Sequence, residues 1–466
     1  MTTGAKRTAA RLLAVTTLLF AVGRAAAETV VYEGVTYTIT DAARTPATVA
    51  VGIGESGSPA ISVNAELTLE IPETFTVGGV NYRVTAISAS AFDGCKNLKG
   101  VTIPNSVTSI GTHAFSSSGL TSVVIPGSVE SIDGDYCFSS CASLEEVTME
   151  EGVKTVGRYA FLQCSKLSRV TFPESLSRVR ESAFRMTGLT DLVVPPKLTS
   201  LEYASFSRCY YLTNLVFHAN LKSIGAEKVG ALAECTRLTQ VIIPDSVTSI
   251  SDVAFSGCTA ISTVTVPQYV ADKGLTNVFR SAAATLTDVT LSANVTSLTA
   301  HTFEGCTNLR HLVIPDTVTT IEEGAFAELT VLEDLTIPPN VTGLNAATFA
   351  GCDRLWAKWY RTLADTAYDL SDEIADKKIA HVTVDGDAAL DRFVLRDGKV
   401  YDALVYIENT AATAVTLTLP DGYRYVAAAG KKPLTLPAQS LNLLTLTRLA
   451  DGTFLVSRQK LSVIAE

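Results

Sequence analysis

The sequence predicts a β-rich solenoid of α+β class, about twelve 23-residue coils with a β cap before them and a β-sandwich-like domain after them. Three observations predict it. A short apolar phrase recurs: Val101–Ile132 reads VTIPNSVTSIGTHAFSSSGLTSVVIPGSVESI, in which TIPNSVTSI is followed one unit later by VIPGSVESI. Phenylalanine keeps the same step, at Phe92, Phe115, Phe138, Phe161 and Phe184, each 23 residues apart. The series runs on through Phe206, Leu232, Phe255, Phe279, Phe303, Phe326 and Phe349 with spacings of 22 to 26. Beyond residue 380 the period stops and apolar and polar residues simply alternate. Self-similarity at this period is the mark of stacked repeats.

Residues 1–27 stand apart from any fold. Lys6, Arg7 and Arg11 precede an apolar run from Leu12 to Val22, and Ala25-Ala26-Ala27 supplies small residues before Glu28. This reads as a secretory signal cleaved after Ala27; a membrane anchor would need about 20 apolar residues. No other apolar run reaches spanning length, so the mature chain is expected to lack a transmembrane segment. Without residues 1–27, which hold four Lys/Arg and no acid, 33 basic and 47 acidic residues leave a net charge of −14. An acidic chain with no basic cluster repels phosphate backbones, so no nucleic-acid partner is expected. The same charge also keeps an exported protein dispersed. Residues 28–85, with YEGVTYTIT (Tyr32–Thr40) and IPETFTVGGVNYRVTAI (Ile71–Ile87), read as an N-terminal β cap.

Residues 86–355 carry the coils. In LKGVTIP, Leu98, Val101 and Ile103 point inward and Val101-Thr102-Ile103 alternates as a strand does. Proline closes this strand in eight of eleven coils, where a missing N–H ends the ladder. Val107 and Ile110 anchor a second short extended segment, and the Ala-Phe phrase turns the chain back. One such coil cannot bury its own apolar side chains; stacked on neighbours it can. The coil around Val266–Leu286 lacks the SVTSI phrase and is expected to be distorted.

The strand phrase L-x-x-V-x-I-P matches the leucine-rich-repeat strand signature. With IP-x-SVTSI-x-x-x-AF-x-x-C, over about Ala86 to Leu355, the chain resembles the BspA-like leucine-rich-repeat family of bacterial surface proteins. The cap also looks like that family's N-terminal lead-in. The resemblance implies a leucine-rich-repeat solenoid, display at the cell surface, and contact with host proteins or other bacteria. Departures are local: Leu232 replaces Phe, and Glu150, His218 and Ser292 replace the strand-closing Pro.

Nine cysteines in an exported protein raise the question of disulfides. Eight follow the repeat Phe by three residues: Cys95, Cys141, Cys164, Cys209, Cys235, Cys258, Cys306 and Cys352. Ser118, Thr187, Ala282 and Leu329 take the slot in the other coils. A slot open to these residues asks for small buried volume, which a free thiol supplies. The resemblance points the same way. Adjacent thiols such as Cys141 and Cys164 nevertheless come within bridging range. Phe92, Cys95, Phe115, Phe161, Cys164, Phe255, Cys258, Phe303, Cys306, Phe349 and Cys352 are thus expected as repeat core. One thiol per coil makes a row rather than a tetrahedral cluster, so no metal site is expected.

A search for chemistry finds little. His113, His218, His301, His311 and His381 form no H-E-x-x-H and no ligand-spaced pair with Cys. G-x-S-x-G, P-loop and G-x-G-x-x-G motifs are missing. VDGDAALD (Val384–Asp391) could be a calcium loop, but its spacing departs from that pattern and D-G nearby marks hairpin turns. No catalytic residue and no cofactor is predicted, and the chain reads as non-enzymatic.

Function then falls to a face. One outward column of the strands is β-branched: Thr102, Val124, Thr148, Thr171, Val193, Val216, Ile242, Thr265, Thr290, Val313 and Thr336. Beside it run Gly100, Ser122, Glu146, Arg169, Asp191, Asn214, Gln240, Thr263, Asp288, His311 and Asp334. The candidate binding residues are Thr148, Arg169, Asp191, Asn214, Gln240, Asp288, His311 and Asp334. Neither column holds an aromatic, which argues against a sugar-stacking platform. A long face suits a protein ligand, and with the resemblance this is a host extracellular or other bacterial surface protein. The alternative is a structural component of the cell envelope or extracellular matrix, whose columns serve sheet propensity alone.

After the coils, residues 356–380 read as a helical cap and linker, with Trp356, Trp359, Tyr360 and Leu363 at helical spacing. Residues 381–466 read as a separate β domain with D-G hairpin turns.

Overall fold

The computed structural model describes residues 28–53, 59–61, 67–225, 229–338, 341 and 346–352, and beyond these the backbone of strands between residues 360 and 463. Two compact units separate: the chain up to Leu238 with Val253–Phe255, and Thr239–Asp252 with the chain from Ser256 onward.

The first unit opens with a sheet. Strands β1 (Thr29–Tyr32), β2 (Val35–Asp41) and β3 (Ala47–Val51) pair antiparallel in order. β4 is Leu67–Glu70, β5 is Thr74–Val77 and β6 is Val80–Ile87; β6 lies between β5, antiparallel, and β3, parallel. Tyr32, Tyr37, Phe75 and Tyr82 fill one side of it, with ring centroids 4.7 to 5.4 Å apart. The sheet runs directly into the repeats. β6 ends on VTAI, which pairs in parallel with Ser109–Ile110 as though it were an SVTSI segment. β4 pairs in parallel with β7 (Leu98–Thr102) in the same way.

Each regular coil has three sides, and each side carries its own inter-coil ladder. The first is the strand predicted from the L-x-x-V-x-I phrase: Ser122–Ile125 alternates exposed and buried residues and pairs in parallel with Glu146–Met149, which pairs with Arg169–Thr171. The second is the two-residue Ser-Ile rung, as in Ser131–Ile132, Thr155–Val156 and Arg178–Val179. The third is the Ala-Phe turn. Phe115 N donates to Cys137 O, Phe138 N to Ala160 O and Phe161 N to Ala183 O, at 2.7 to 2.8 Å. Residues two before and two after the Phe make the same bond: His113 N to Asp135 O (3.0 Å) and Ser117 N to Ser139 O (2.8 Å). His113 and Ser117 both have left-handed backbone, φ 55° and 54°. Such φ costs a non-glycine residue about 1–2 kcal/mol. Here it aims every second N–H at the next coil, and the inter-coil bond offsets the strain.

The apolar side chains meet inside these ladders. Phe92, Phe115, Phe138, Phe161, Phe184 and Phe206 stack in one row, with centroids 4.9 to 5.3 Å apart and planes within 15°. That is the offset-stacked range for aromatic pairs. In the second unit Phe303, Phe326 and Phe349 do the same at 5.7 and 5.6 Å. Two coils of the first unit are a residue short between the Cys slot and the Leu, reading S-G-L (Ser118–Leu120) and T-G-L (Thr187–Leu189). The shortcut forces contact with the coil before it. A Cβ on Gly119 would sit 1.7 Å from Lys96 O, and one on Gly188 2.5 Å from Ser165 O.

The second unit repeats the coil with one interruption. Where the SVTSI phrase is missing, the chain forms α1 (Gln268–Lys273), α2 (Leu275–Phe279) and a 3-10 turn (Arg280–Thr285). Side chains replace the lost rung. Gln268 Oε1 accepts from the N–H of Thr296 (2.6 Å), and its Nε2 donates to Ser297 O (3.0 Å), so the carboxamide acts as a peptide group for the rung Ser297–Leu298. Lys273 Nζ donates to Ile250 O (2.7 Å) at the rung before.

From Tyr360 onward the described elements are strands. Six pair in one sheet, running Tyr360–Thr362, Ile379–Val384, Ala403–Asn409, Ser440–Arg448, Phe454–Val463 and Tyr423–Tyr425. Ala388–Ala389, Val415–Thr418 and Leu434–Leu436 form another. The helix expected over 356–380 is corrected at Tyr360–Thr362, a strand parallel to Ile379–Val384. Its aromatic Tyr360 and β-branched Thr362 suit a pleated surface. Trp356, Trp359 and Leu363 lie outside the described residues, as do the aspartates of Val384–Asp391.

Candidate binding face

The period fixes which residues lie side by side on the strand face. In the first unit Ser122, Glu146 and Arg169 are register partners, as are Val124, Thr148 and Thr171. Asp191 faces Asn214, and Val193 faces Val216. In the second unit Gln240, Thr263, Asp288, His311 and Asp334 follow one another in register. These runs follow the order of the two columns, in two stretches of the first unit and one of the second.

The first column is more apolar at its surface than β-branched composition requires. Val124, Val193, Val216, Ile242 and Val313 are five of the nine exposed large hydrophobic residues among those described. Val313 is the most exposed, at 67%. Thr148 is half-buried.

The polar column is partly neutralised from within. Arg169 Nη2 meets Glu146 Oε2 at 3.3 Å. Asn214 Nδ2 donates to Asp191 Oδ1 at 3.1 Å, and the Thr190 hydroxyl donates to Asp191 Oδ2 at 2.7 Å. Thr287 donates in the same way to Asp288 Oδ2 (2.7 Å). Gln240, Asp288 and His311 are exposed, and the Asp334 side chain lies outside the described residues. Related pairs span neighbouring coils elsewhere: Lys154–Glu130 (2.8 Å), Arg178–Glu202 (2.7 Å) and Arg310–Glu333 (2.9 Å). Exposed pairs of this kind contribute about 0–1 kcal/mol each, so they set register rather than stability.

Aromatics reach the surface at positions that the column reading missed. His113, Tyr136 and Tyr159 stack two residues before the repeat Phe, with centroids 5.0 and 4.6 Å apart. Tyr159 donates to Glu181 Oε1 (2.6 Å), and this bond, with burial, pushes its phenol up to about 12. The sequence carries the signal as T-H-A-F, D-Y-C-F and R-Y-A-F, a shared slot outside both strand columns. Tyr210 and Tyr211 are also exposed, just ahead of the strand Asn214–Val216.

The thiols lie in the core. All nine cysteines are free and buried. Their slot does more than fill space: Cys141 Sγ donates to Phe115 O (3.0 Å), Cys164 to Phe138 O (3.0 Å) and Cys209 to Phe184 O (3.3 Å). Burial, aided by Asp93, pushes the Cys95 thiol up to about 11; burial alone pushes Cys306 up to about 12. Among the described residues no three His, Cys, Asp or Glu side chains gather as a metal site would need. No helix among them is long and apolar enough to cross a membrane.

No curated protein matches the chain significantly. Among solved structures it is similar to a leucine-rich repeat protein from Bacteroides ovatus, at 25% identity over 71% of this chain and 94% of that one, TM-score 0.42. A leucine rich cell surface protein from Faecalibacterium prausnitzii matches at 25% identity over 70% and 93%, TM-score 0.37. The pneumococcal vaccine antigen PcpA matches at 17% identity over 68% and 99%, TM-score 0.31. The BspA type leucine rich repeat region matches residues 79–134, 132–229 and 228–355 in six copies, more than half of the sequence. With its coils, ladders and Phe rows already placed, the chain belongs to the BspA-type leucine-rich-repeat family.

Proposed function

We propose that this is an exported, non-enzymatic repeat protein that binds other proteins at the bacterial cell surface through its strand face, in adhesion or a related contact. The observation that carries the reading is that one strand slot holds exposed Val124, Val193 and Val216 in the first unit and exposed Ile242 and Val313 in the second. Nothing in coil packing requires a large apolar side chain there, since Thr148, Thr171, Thr265 and Thr290 hold the same slot. Apolar residues kept at the surface in a recurring slot mark interaction sites. Export rests on the signal-like residues 1–27, and surface display on the family. The partner is a host extracellular protein or another bacterial surface protein.

The test is position-resolved. A photo-cross-linking residue at Val193 or Val313 is expected to trap protein partners on native cells, and the same residue at Ser117, on the turn side, is not. Equal capture at both positions sinks the reading. The second reading, a structural envelope component, is favoured by the internally paired Glu146–Arg169 and Asp191–Asn214. It predicts no cross-links at either position and an altered envelope on deletion.

A further inference from the structure

Tyr210 and Tyr211 are the exposed tyrosines among the described residues, at 39% and 49%. They fill the two positions between Cys209 and Leu212, a slot that holds Lys96-Asn97, Ala142-Ser143 and Ser165-Lys166 in other coils. In the coil just before, the slot is the single Gly188, pressed onto Ser165 O so closely that a side chain has no room. In the coil after, the guanidinium of Arg237 lies over the Tyr211 ring, 4.8 Å from its centroid. One face of Tyr211 is thus backed by a cation, and the matching slot of the preceding coil, Gly188, carries no side chain. Three residues on, Asn214 is hydrogen-bonded to Asp191, itself held by Thr190, and both are exposed. Val193 and Val216 continue the patch in register.

We infer that Tyr211, with Tyr210 and the Asp191–Asn214 pair, is a stacking site for a gluco-configured pyranose of a glycan chain. An aromatic face is the negative side of a quadrupole. A pyranose with equatorial hydroxyls presents to it a flat face of polarised C–H groups. The hydroxyls at the rim of that ring need hydrogen-bond partners, and a carboxylate beside a carboxamide offers both acceptor and donor capacity. The bond between Asp191 and Asn214 holds the two groups in place before the sugar arrives. A purely apolar partner fits less well, because it would strip water from the charged Asp191, whose bonds from Asn214 and Thr190 both come from neutral groups, and burying a charge without a counter-charge is costly. The site borders Val193 and Val216 of the protein-binding reading but does not depend on it, since it is read by sugar contact at Tyr211. The earlier argument against sugar stacking holds for the strand columns, which contain no aromatic; these rings sit at the turn leading into them.

The test uses the mature full-length chain with cellotetraose and chitotetraose. Saturation-transfer NMR is expected to show contact on the ring C–H protons of at least one, with a dissociation constant in the millimolar range, about what a single shallow site supports. Tyr211→Ala is expected to weaken binding about ten-fold, near the worth of one aromatic contact, while Tyr211→Phe keeps it within about two-fold. Asp191→Ala should weaken binding as well, with the unfolding midpoint unchanged. No transfer to either sugar overturns the inference. So does a Tyr211→Ala protein that binds as tightly as wild type. Tyrosine-dependent binding of an oligoproline peptide without sugar binding assigns the patch to a peptide and overturns it too.

Discussion

The thiol of Cys164 donates to the carbonyl oxygen of Phe138 one coil earlier, 3.0 Å away. Phe holds its slot in eleven of twelve coils and Cys in eight, and the bond links the thiol row to the Phe row. Ser118 and Thr187 stand in the same slot and also carry a hydroxyl, although Thr187 donates within its own coil, to Phe184 O at 2.9 Å. The slot therefore asks for a small side chain that can donate, which explains why Cys, Ser and Thr fill most of it. Removing the donor leaves a buried carbonyl without it. Cys164→Ala is expected to cost about 1–3 kcal/mol in urea unfolding, from the lost bond and the small void. Cys164→Ser should cost less than Cys164→Ala; the reverse order would contradict the donor role.

Phe161 lies between Phe138 and Phe184 at 5.2 and 5.1 Å. Phe161→Ala is expected to cost about 3–5 kcal/mol, in the range for large core truncations. Phe161→Leu should cost distinctly less, because Leu232 fills this slot in its own coil, fully buried. Thermal unfolding of the two variants checks the order.

Gly119 and Gly94 separate two reasons for glycine. Gly94 has φ 66° and open space around a built Cβ, so Gly94→Ala should cost only the backbone term, about 1 kcal/mol. Gly119 has no such φ, but its Cβ would lie 1.7 Å from Lys96 O. Gly119→Ala must push two coils apart and is expected to prevent cooperative folding, seen as loss of a sharp circular-dichroism transition.

The repeat serine is a second inter-coil tie. Ser128 donates to Val107 O (2.6 Å), Ser175 to Val153 O (2.8 Å) and Thr317 to Val295 O (2.7 Å). Ser175→Ala is expected to lower stability by about 1 kcal/mol and Ser175→Thr by less, read from the urea midpoint.

The thiols give the fold a base-side limit. In the folded chain Cys95 and Cys306 hold their protons up to about 11 and about 12, against the ordinary 9.0. The unfolded chain loses those protons first, so stability from this source is complete below pH 9 and is lost as pH rises from 9 toward 12. The urea midpoint is expected to fall above pH 9, and Cys306→Ala to fall less steeply than wild type. Parallel curves would remove the thiol from that account.

Much of this was legible in the sequence because a 23-residue step sets register by itself. Once Val124, Thr148 and Thr171 share a slot, they share a column. The Phe and Cys rows follow for the same reason. The turn ladder did not show, since left-handed φ falls on His113, Tyr136, Ser117 and Gln163 as well as on Gly94 and Gly257, and these residues have no common chemistry. The repair of the interrupted coil was hidden too: Gln268 and Lys273 act through single side-chain bonds, which leave no periodic trace. On the strand face, sequence places Arg169 and Asp191 in line but cannot tell that Glu146 and Asn214 already engage them. The aromatic spacing at Trp356–Leu363 fits a helical template, yet Tyr360–Thr362 pairs as a strand, because three residues satisfy either period.

The central claim is that, within the first unit, equivalent strand slots of successive coils lie side by side, one strand spacing apart. Electron-spin distances between labels at Thr102 and Thr171, Thr102 and Val193, and Thr102 and Val216 test it most directly. At about 4.8 Å per coil the separations should rise in equal steps, to roughly 14, 19 and 24 Å. Distances that do not increase with the number of coils between the labels would contradict the stack and, with it, the binding face.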